Sequence, residues 1–325
     1  MRWSFLVMFF KWSFFFLGTL LLMSTLFEHY ERWRLERTFR EGKTFVQIKG
    51  QPLHYVKKGQ GNCTVVFQSG MGSNHTIWKE VQDSLSKHAV TVSYDRNGLL
   101  LSEATGEPVT NDLVSEELQL LLEKTNCPKP YILVGHSMAG IYLRPFIEKN
   151  KEDISAIIFA EAAHPLQMKK ASPDLLKALS VPPHWVIKTI VHTGIYRVLF
   201  SFLPLSPEFP ITHRFHQLEK DFFYRSCNKI LEEAKNDNLN FEDAEQYTSF
   251  GNIPLTVIMG TSPVRYAGFK DPILRDEFKS LVNEVQLDLL NLSGKSRLVE
   301  ATHSGHIIQV NDNLLLTNEI IRHLK

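Results

Sequence analysis

The chain has 325 residues, of which 43% are hydrophobic and 22% charged, and its formal net charge is +1 at pH 7. This composition is typical of a globular protein with a large core, and the near-neutral charge gives no electrostatic footprint for a nucleic-acid partner. The three cysteines (Cys63, Cys127 and Cys227) are widely spaced and odd in number, which excludes a disulfide framework, a paired metal site and a CxxC redox motif.

The first thirty residues form an apolar segment. From Trp3 to Phe27 the only charged residue is Lys11, and about 20 apolar residues suffice to span a bilayer. We therefore expect an uncleaved, single-pass membrane anchor over residues 1–30. A cleaved signal peptide and a soluble amphipathic arm are the alternatives, but no small-x-small cleavage site precedes the charged residues 28–34. The positive-inside rule favours a cytoplasmic catalytic domain by a thin margin, so the side of the membrane stays open.

Beyond the anchor, strands alternate with helices. Residues 43–61 alternate apolar and polar side chains around Gly50-Gln51, which predicts a β-hairpin. Short apolar runs predict six further strands, within the segments 64–70, 89–95, 131–134, 154–165, 253–260 and 296–301. Helical patterns separate these strands, so we expect an α/β protein whose mostly parallel sheet carries helices on both faces and the hairpin at one edge. The core then comprises residues 44–164 and 251–325.

Residues 165–250 interrupt this alternation. They contain apolar helical stretches, "HWVIKTIVHTGIYRVLFSFL" and "RFHQLEKDFFYRSCNKILEEAKN", separated by proline-rich turns. An insertion of this size between two strands predicts a helical cap over the active face. The first stretch also suits a membrane interface, although cap packing is the simpler interpretation.

The segment "YILVGHSMAG", residues 131–140, passes from a strand through a turn of small residues into a helix. A nucleophile elbow needs this context, because its central residue adopts a crowded backbone conformation. Gly135 and Ala139 supply small neighbours two positions on either side of Ser137. The pattern predicts that Ser137 is a nucleophile.

Three other loops follow strands and meet at the same edge of the sheet. "QSGMGS", residues 68–73, turns backbone amides inward, so the N–H groups of Met71 and Met138 are candidates for an oxyanion hole. "ATHSGH", residues 301–306, offers His303 and His306 as a base, and "FAEAAHP" offers Glu161 as the acid that orients it. We expect Asp95 and Arg96 to form a structural ion pair that fixes the loop after their strand. His75 and His164 are candidates to line the pocket, with polar residues at its rim as the more common alternative.

The chain resembles the α/β-hydrolase-fold serine hydrolases over roughly residues 44–325, through the "GHSMAG" elbow, "QSGMGS", "YDRNGLLLSE" and "HSGHIIQVN". The resemblance implies the α/β-hydrolase fold and favours His306 over His303 as the base. The sequence has no GxGxxG after the first strand and no cluster of metal-ligand residues, so we expect no cofactor or metal. Many members carry the acid after the strand that corresponds to "LTVIMG", where this chain first offers Asp271. Others carry it after the strand that follows the elbow, where Glu161 stands. Glu161 is the better candidate and Asp271 the alternative.

These features predict a membrane-anchored serine hydrolase that cleaves an ester-type, and possibly lipophilic, substrate through a Ser137–His306–Glu161 triad and an acyl-enzyme. The expected partners are a small-molecule or lipid ester and the membrane. Two alternatives stay open. One is a non-catalytic binding protein on the same fold, and the other is acyl transfer or peptide hydrolysis by the same triad.

Overall fold

An eight-stranded sheet runs through the structure, a computed structural model that describes residues 2–208 and 210–324. Its strands are β1 (Phe45–Ile48), β2 (Gln51–Lys58), β3 (Thr64–Gln68), β4 (Val90–Tyr94), β5 (Tyr131–His136), β6 (Ile154–Ala160), β7 (Leu255–Gly260) and β8 (Ser296–Ala301). Their order is β1-β2-β4-β3-β5-β6-β7-β8. The pairs β1–β2 and β2–β4 are antiparallel and the other pairs are parallel, which confirms the predicted sheet and its edge hairpin.

Thirteen α-helices accompany these strands in the described residues. They are α1 (Arg2–Phe39), α2 (Lys79–Leu85), α3 (Asn111–Lys124), α4 (Ala139–Tyr142), α5 (Arg144–Lys149), α6 (Gln167–Lys170), α7 (Pro173–Leu179), α8 (His184–His192), α9 (Ile195–Phe202), α10 (Arg214–Ala244), α11 (Pro272–Asp288), α12 (Ile308–Asn311) and α13 (Asn313–Ile321).

The sheet separates two hydrophobic cores because neighbouring residues of a strand point to opposite faces. In β5, Leu133 packs in a cluster with side chains of α3 and α5. The next residue, Val134, belongs to a second cluster that contains side chains of α2 and α13. Both side chains are fully buried. Helices therefore cover both faces of the sheet, as the alternating sequence pattern predicts.

The segment between β6 and β7 holds the five helices α6 to α10. Its longest helix, α10, has 31 residues and contacts α3 and α4 of the core, while α8 and α9 pack against α10 and against each other. The stretch 184–203 is broken into two helices because Gly194 takes a left-handed backbone, with φ of 76°. A Cβ on Gly194 would also lie 2.8 Å from Cβ of Glu28. The close approach of α1 to the turn between α8 and α9 therefore requires a glycine at position 194.

Helix α1 is 38 residues long, and it is the one helix within 2–208 and 210–324 that is long and apolar enough to cross a membrane. It continues past residue 30, and its residues 24–32 contact α8, α9 and the turn between them. Ser24 Oγ donates to the carbonyl of Thr193 at 2.7 Å. Glu28 is completely buried and pairs with Arg32 at 2.6 Å and with Arg197. A buried polar contact therefore joins α1 to the rest of the chain.

Replacing the cation of this buried pair should destabilise the fold. Arg197→Leu removes one of the two cations that pair with the buried Glu28 carboxylate and leaves only Arg32, so we expect the free energy of unfolding to fall by about 3 kcal/mol. Denaturant unfolding in detergent micelles measures the change. The matched control is Arg34→Leu. Arg34 is exposed and pairs with Glu31 within α1, the helix that carries Glu28, and this pair should contribute nothing measurable to the free energy of unfolding. Equal effects of the two substitutions would contradict this assignment.

Candidate active site

Ser137 lies directly after β5 on a tight turn, and its φ of 55° is in the left-handed region that non-glycine residues rarely adopt. The turn is possible because its neighbours are small. A Cβ on Gly70 would lie 2.7 Å from Cβ of Ser137, and a Cβ on Gly140 would lie 2.4 Å from the carbonyl oxygen of Ala163. Strain of this kind is typical of functional sites, and here it turns Ser137 away from the strand.

Glu161 and His306 approach each other at the same edge of the sheet. Glu161 follows β6 and is buried, and its Oε2 lies 3.4 Å from Nδ1 of His306. Its Oε1 accepts a hydrogen bond from the Gly260 amide at 2.7 Å. The alternative acid, Asp271, is exposed and instead caps α11 by accepting from the amide of Ile273. His303 is exposed as well.

One cavity of about 720 Å³ connects the predicted site residues. Ser137, His306, Met71 and Met138 all line it. Among the hydrogen bonds of the described part of the chain, none joins the hydroxyl of Ser137 to His306. Such bonds are often long in unliganded sites and tighten when substrate binds.

The electrostatics of the pair depend on burial and on Arg265, which sequence analysis missed. Burial raises the pKa of Glu161, while Arg265 and the Gly260 amide oppose that rise. Arg265 Nη2 lies 2.5 Å from Oε2 of Glu161, the oxygen that faces His306. Burial and then the charge of Arg265 lower the pKa of His306, so its imidazole is neutral and able to accept a proton.

The loop that carries Met71 is held by a buried ion pair. Arg96 donates to the carbonyl oxygens of Ser69 and Gly70, at 2.6 and 2.9 Å, and to Glu233 at 2.7 Å. Glu233 in turn accepts from the amide of Gly72 at 2.7 Å. Glu233 belongs to α10, so the segment between β6 and β7 helps to hold the candidate oxyanion loop in place.

A second carboxylate, Glu208, holds the loop that carries the candidate base. It accepts hydrogen bonds from the backbone amides of His306 at 2.7 Å and Ile307 at 2.9 Å, and from the side chain of Asn311 at 3.0 Å. No sequence motif marks Glu208, which stands in a proline-bounded loop between α9 and α10. Its role follows only from the fold.

The expected ion pair between Asp95 and Arg96 is wrong, because Asp95 contacts two histidines and Arg96 pairs with Glu233. Its carboxylate lies 3.0 Å from Nδ1 of His54 and 2.7 Å from Nδ1 of His75. Burial alone would raise the pKa of Asp95, but His75 and His54 hold it below its ordinary value. In the described ranges, this is the one group of three side chains with the spacing of a metal site. Hydrogen bonds already account for the geometry of the cluster.

Of the two interpretations of His75 and His164, the one that places them in the lining of this cavity is wrong for both. Nε2 of His164 lies 3.0 Å from Asp288, and the side chain lines a different cleft beside Arg144. The histidine that does line the cavity is His136, whose Nε2 lies 2.8 Å from the carbonyl oxygen of His306. His136 directly precedes Ser137 in the elbow motif, and this position could have predicted that His136 lines the cavity.

Comparison with known sequences agrees with this architecture. The family model described as "alpha/beta hydrolase fold" matches residues 64–190, which include Ser137. The uncharacterized protein YbdG of Bacillus subtilis is 30% identical over 164 residues, a match that spans 49% of this chain and 50% of that protein. An "AB hydrolase superfamily protein" of Gibberella zeae is 22% identical and matched over 86% of this chain and 91% of its own length.

Among solved structures, the Cif epoxide hydrolase from Acinetobacter nosocomialis superimposes with a TM-score of 0.66 at 15% identity, covering 93% of this chain and 97% of that one. At this identity the likeness concerns the fold alone. Together with the family match over residues 64–190 and the strand order, it shows that the chain has the α/β-hydrolase fold.

Glu208→Gln should slow the reaction of Ser137 with a fluorophosphonate probe about tenfold. The amide keeps one acceptor and loses the second, so the loop bearing His306 is held less firmly and the base is misplaced. Stopped-time labelling gives the rate. The control is Glu277→Gln, because Glu277 also accepts from a backbone amide, that of Ser172, but lies outside the cavity lining. Equal rates for both variants would contradict the role of Glu208.

Arg265→Met should shift the acid limb of the same labelling reaction to higher pH. In the wild type, burial and Arg265 hold the pKa of His306 below its ordinary 6.5, so the neutral base persists into mildly acidic solution. Removing the cation raises the pKa of His306, and the rate then begins to fall at a higher pH. Arg275→Met, an exposed change on α11, is the control. An unchanged profile in Arg265→Met would contradict the electrostatic role.

Proposed function

We propose that this protein is a serine hydrolase that cleaves an ester-type substrate through an acyl-enzyme intermediate. The observation that carries the proposal is the left-handed Ser137 at the wall of a cavity that His306 also lines, with Glu161 behind the imidazole. Serine hydroxyls are poor nucleophiles alone, so a base and its orienting acid beside a strained serine favour covalent catalysis. A serine at the elbow also supports ester chemistry rather than the epoxide chemistry of the Acinetobacter protein.

In the proposed mechanism, the hydroxyl of Ser137 attacks the ester carbonyl carbon while Nε2 of His306 takes its proton. Glu161 holds the imidazolium through Nδ1. The amides of Met71 and Met138 stabilise the oxyanion of the tetrahedral intermediate. That intermediate breaks the ester C–O bond, and His306 protonates the leaving alkoxide. Water, deprotonated by His306, then releases the acid and restores the serine.

The cavity lining supports a lipophilic substrate. Large apolar side chains surround the reactive groups, among them Met71, Ile77, Met138, Met168, Leu176, Phe215 and Phe241. One carboxylate interrupts this surface. In the described residues Oδ1 of Asp237 is buried without a hydrogen-bond partner, and burial, followed by nearby Glu233, raises the pKa of Asp237 to about 7. A hydroxyl on the substrate, as on a partial glyceride, would satisfy this oxygen.

We further propose that residues 1–30 anchor the protein in a membrane as a single-pass helix. Trp3 and most of the large apolar side chains from Leu6 to Phe27 are exposed along α1, and no neighbouring element of the described chain covers them. In this proposal the core of residues 44–164 and 251–325 carries the triad, and residues 165–250 form a cap over it. The thin excess of positive charge after the helix leaves the side of the membrane open.

Ser137→Ala should lower the rate of p-nitrophenyl ester hydrolysis by at least about 10³-fold, because the nucleophile is lost. Ser73→Ala is the matched control, since Ser73 lines the same cavity, and it should retain activity within a few-fold. Longer acyl chains, up to the length the cavity holds, should raise kcat/KM. Equal activity in Ser137→Ala and the wild type would contradict the proposed nucleophile.

Adding methanol or an amine to the same assay distinguishes hydrolysis from acyl transfer. Hydrolysis predicts the free acid as the main product at low alcohol concentration. An ester or amide as the main product would make the protein an acyltransferase on the same triad. A folded wild type without turnover of any ester would instead favour a binding function.

A further inference from the structure

Helix α9 exposes an apolar stripe that nothing in the described chain covers. Val198 and Phe202, one turn apart, are 56% and 77% exposed, while Tyr196 and Arg197 on the other side are buried. Leu199 and Leu203 extend the stripe. Soluble proteins rarely leave such contiguous apolar patches in water, and an apolar face on an otherwise packed helix is typical of interfacial helices.

The start of α9 lies at the level where the apolar surface of α1 ends. Gly194, the residue before α9, packs against the backbone of Ser24 and the side chain of Glu28. Exposed apolar residues occupy α1 without interruption by an exposed charge from Trp12 to Phe27, whereas beyond Phe27 the exposed aromatic side chains of Tyr30 and Trp33 are interspersed with charged residues. If α1 crosses a bilayer, α9 therefore begins beside the polar boundary of that bilayer.

A cationic cleft lies at the same junction. Arg32 of α1 and Lys188 and His192 of α8 line a cleft of about 450 Å³ together with Tyr224. Lys188 and His192 are exposed, and Arg32 still donates to Glu28 and to the carbonyl of Val191. A cationic cleft just beyond an apolar helix matches the level and charge of anionic phospholipid headgroups.

We propose that the stripe of α9 is a second membrane-contact surface, inserted at the headgroup–acyl boundary beside α1, with anionic phospholipid headgroups in the Arg32–Lys188–His192 cleft. The occupant is the bilayer that holds α1, so this inference rests on the proposed membrane anchoring. The cap then rests on the lipid surface. Leu179 and Val181, exposed apolar residues of the cavity lining just before α8, extend the apolar surface from the cavity towards this contact.

Depth-dependent fluorescence quenching tests the proposal on the full chain. An environment-sensitive dye is attached through Phe202→Cys, through Phe14→Cys as the reference in α1, or through Leu314→Cys as a control. All three native residues are exposed, Phe14 by 82% and Leu314 by 68%. Cys63→Ser is the background, since Cys127 and Cys227 are buried. Each protein is reconstituted at one chain per nanodisc of phosphatidylcholine and phosphatidylglycerol carrying spin-labelled lipids.

The proposal predicts quenching at 202 at least about fivefold stronger than at 314, with shallow spin labels more effective than deep ones. The dye at 14 should respond most to deep labels. Lys188→Glu should reduce quenching at 202 about twofold, and only in discs that contain phosphatidylglycerol. Quenching at 14 with none at 202 would overturn the inference and leave the anchor standing.

Absence of quenching at 14 would overturn both the anchor and this inference, while the serine chemistry, measured with soluble esters, would be unaffected. Shielding at 202 that appears only when two chains share a disc would assign the stripe to a second copy and also overturn the proposal. An effect of Lys188→Glu that is equal in pure phosphatidylcholine would overturn the headgroup assignment.

Discussion

The left-handed backbone at Ser137 is the constraint on which the arrangement of the site depends. A non-glycine residue keeps this conformation only where its surroundings enforce it, and here Gly70 and Gly140 leave the room that the turn requires. The turn also brings the carbonyl of Ser137 to the amide of Ala163 at 2.7 Å, in the loop after β6. The geometry of the elbow is thereby linked to the loop that begins with Glu161.

Three carboxylates, of which Glu233 and Glu28 are buried and Glu208 is half-buried, hold distant parts of the chain together. Glu233 holds the loop of Met71 through Arg96, Glu208 holds the loop of His306, and Glu28 joins α1 to Arg197. The first two belong to the segment between β6 and β7, and the third fixes that segment to the N-terminal helix. A displacement of the segment would disturb the oxyanion loop and the base together. In the proposed function, the position of this segment would therefore affect the oxyanion loop and the base at the same time.

Local patterns made much of this architecture predictable. Apolar runs and glycine-rich turns indicated the strands, and the strands in turn predicted that Ser137, Glu161 and His306 meet at one edge. The carboxylate contacts were not predictable, because Glu233 pairs with a residue 137 positions away and Glu28 with one 169 positions away. Tertiary packing also determines the partners of Asp95. The same holds for the helix break at Gly194, because the periodicity of the local sequence does not show that α1 packs closely there.

The most direct test of the account is the position of a fluorophosphonate adduct. The folded, detergent-solubilised full chain is reacted to completion and digested, and its peptides are sequenced by mass spectrometry. The proposed triad predicts one adduct per chain, on the peptide that contains Ser137, because among the described serines Ser137 alone combines a left-handed backbone with a histidine in the same cavity. An adduct on another serine of the cavity, such as Ser73, or no adduct on the folded protein, would contradict it.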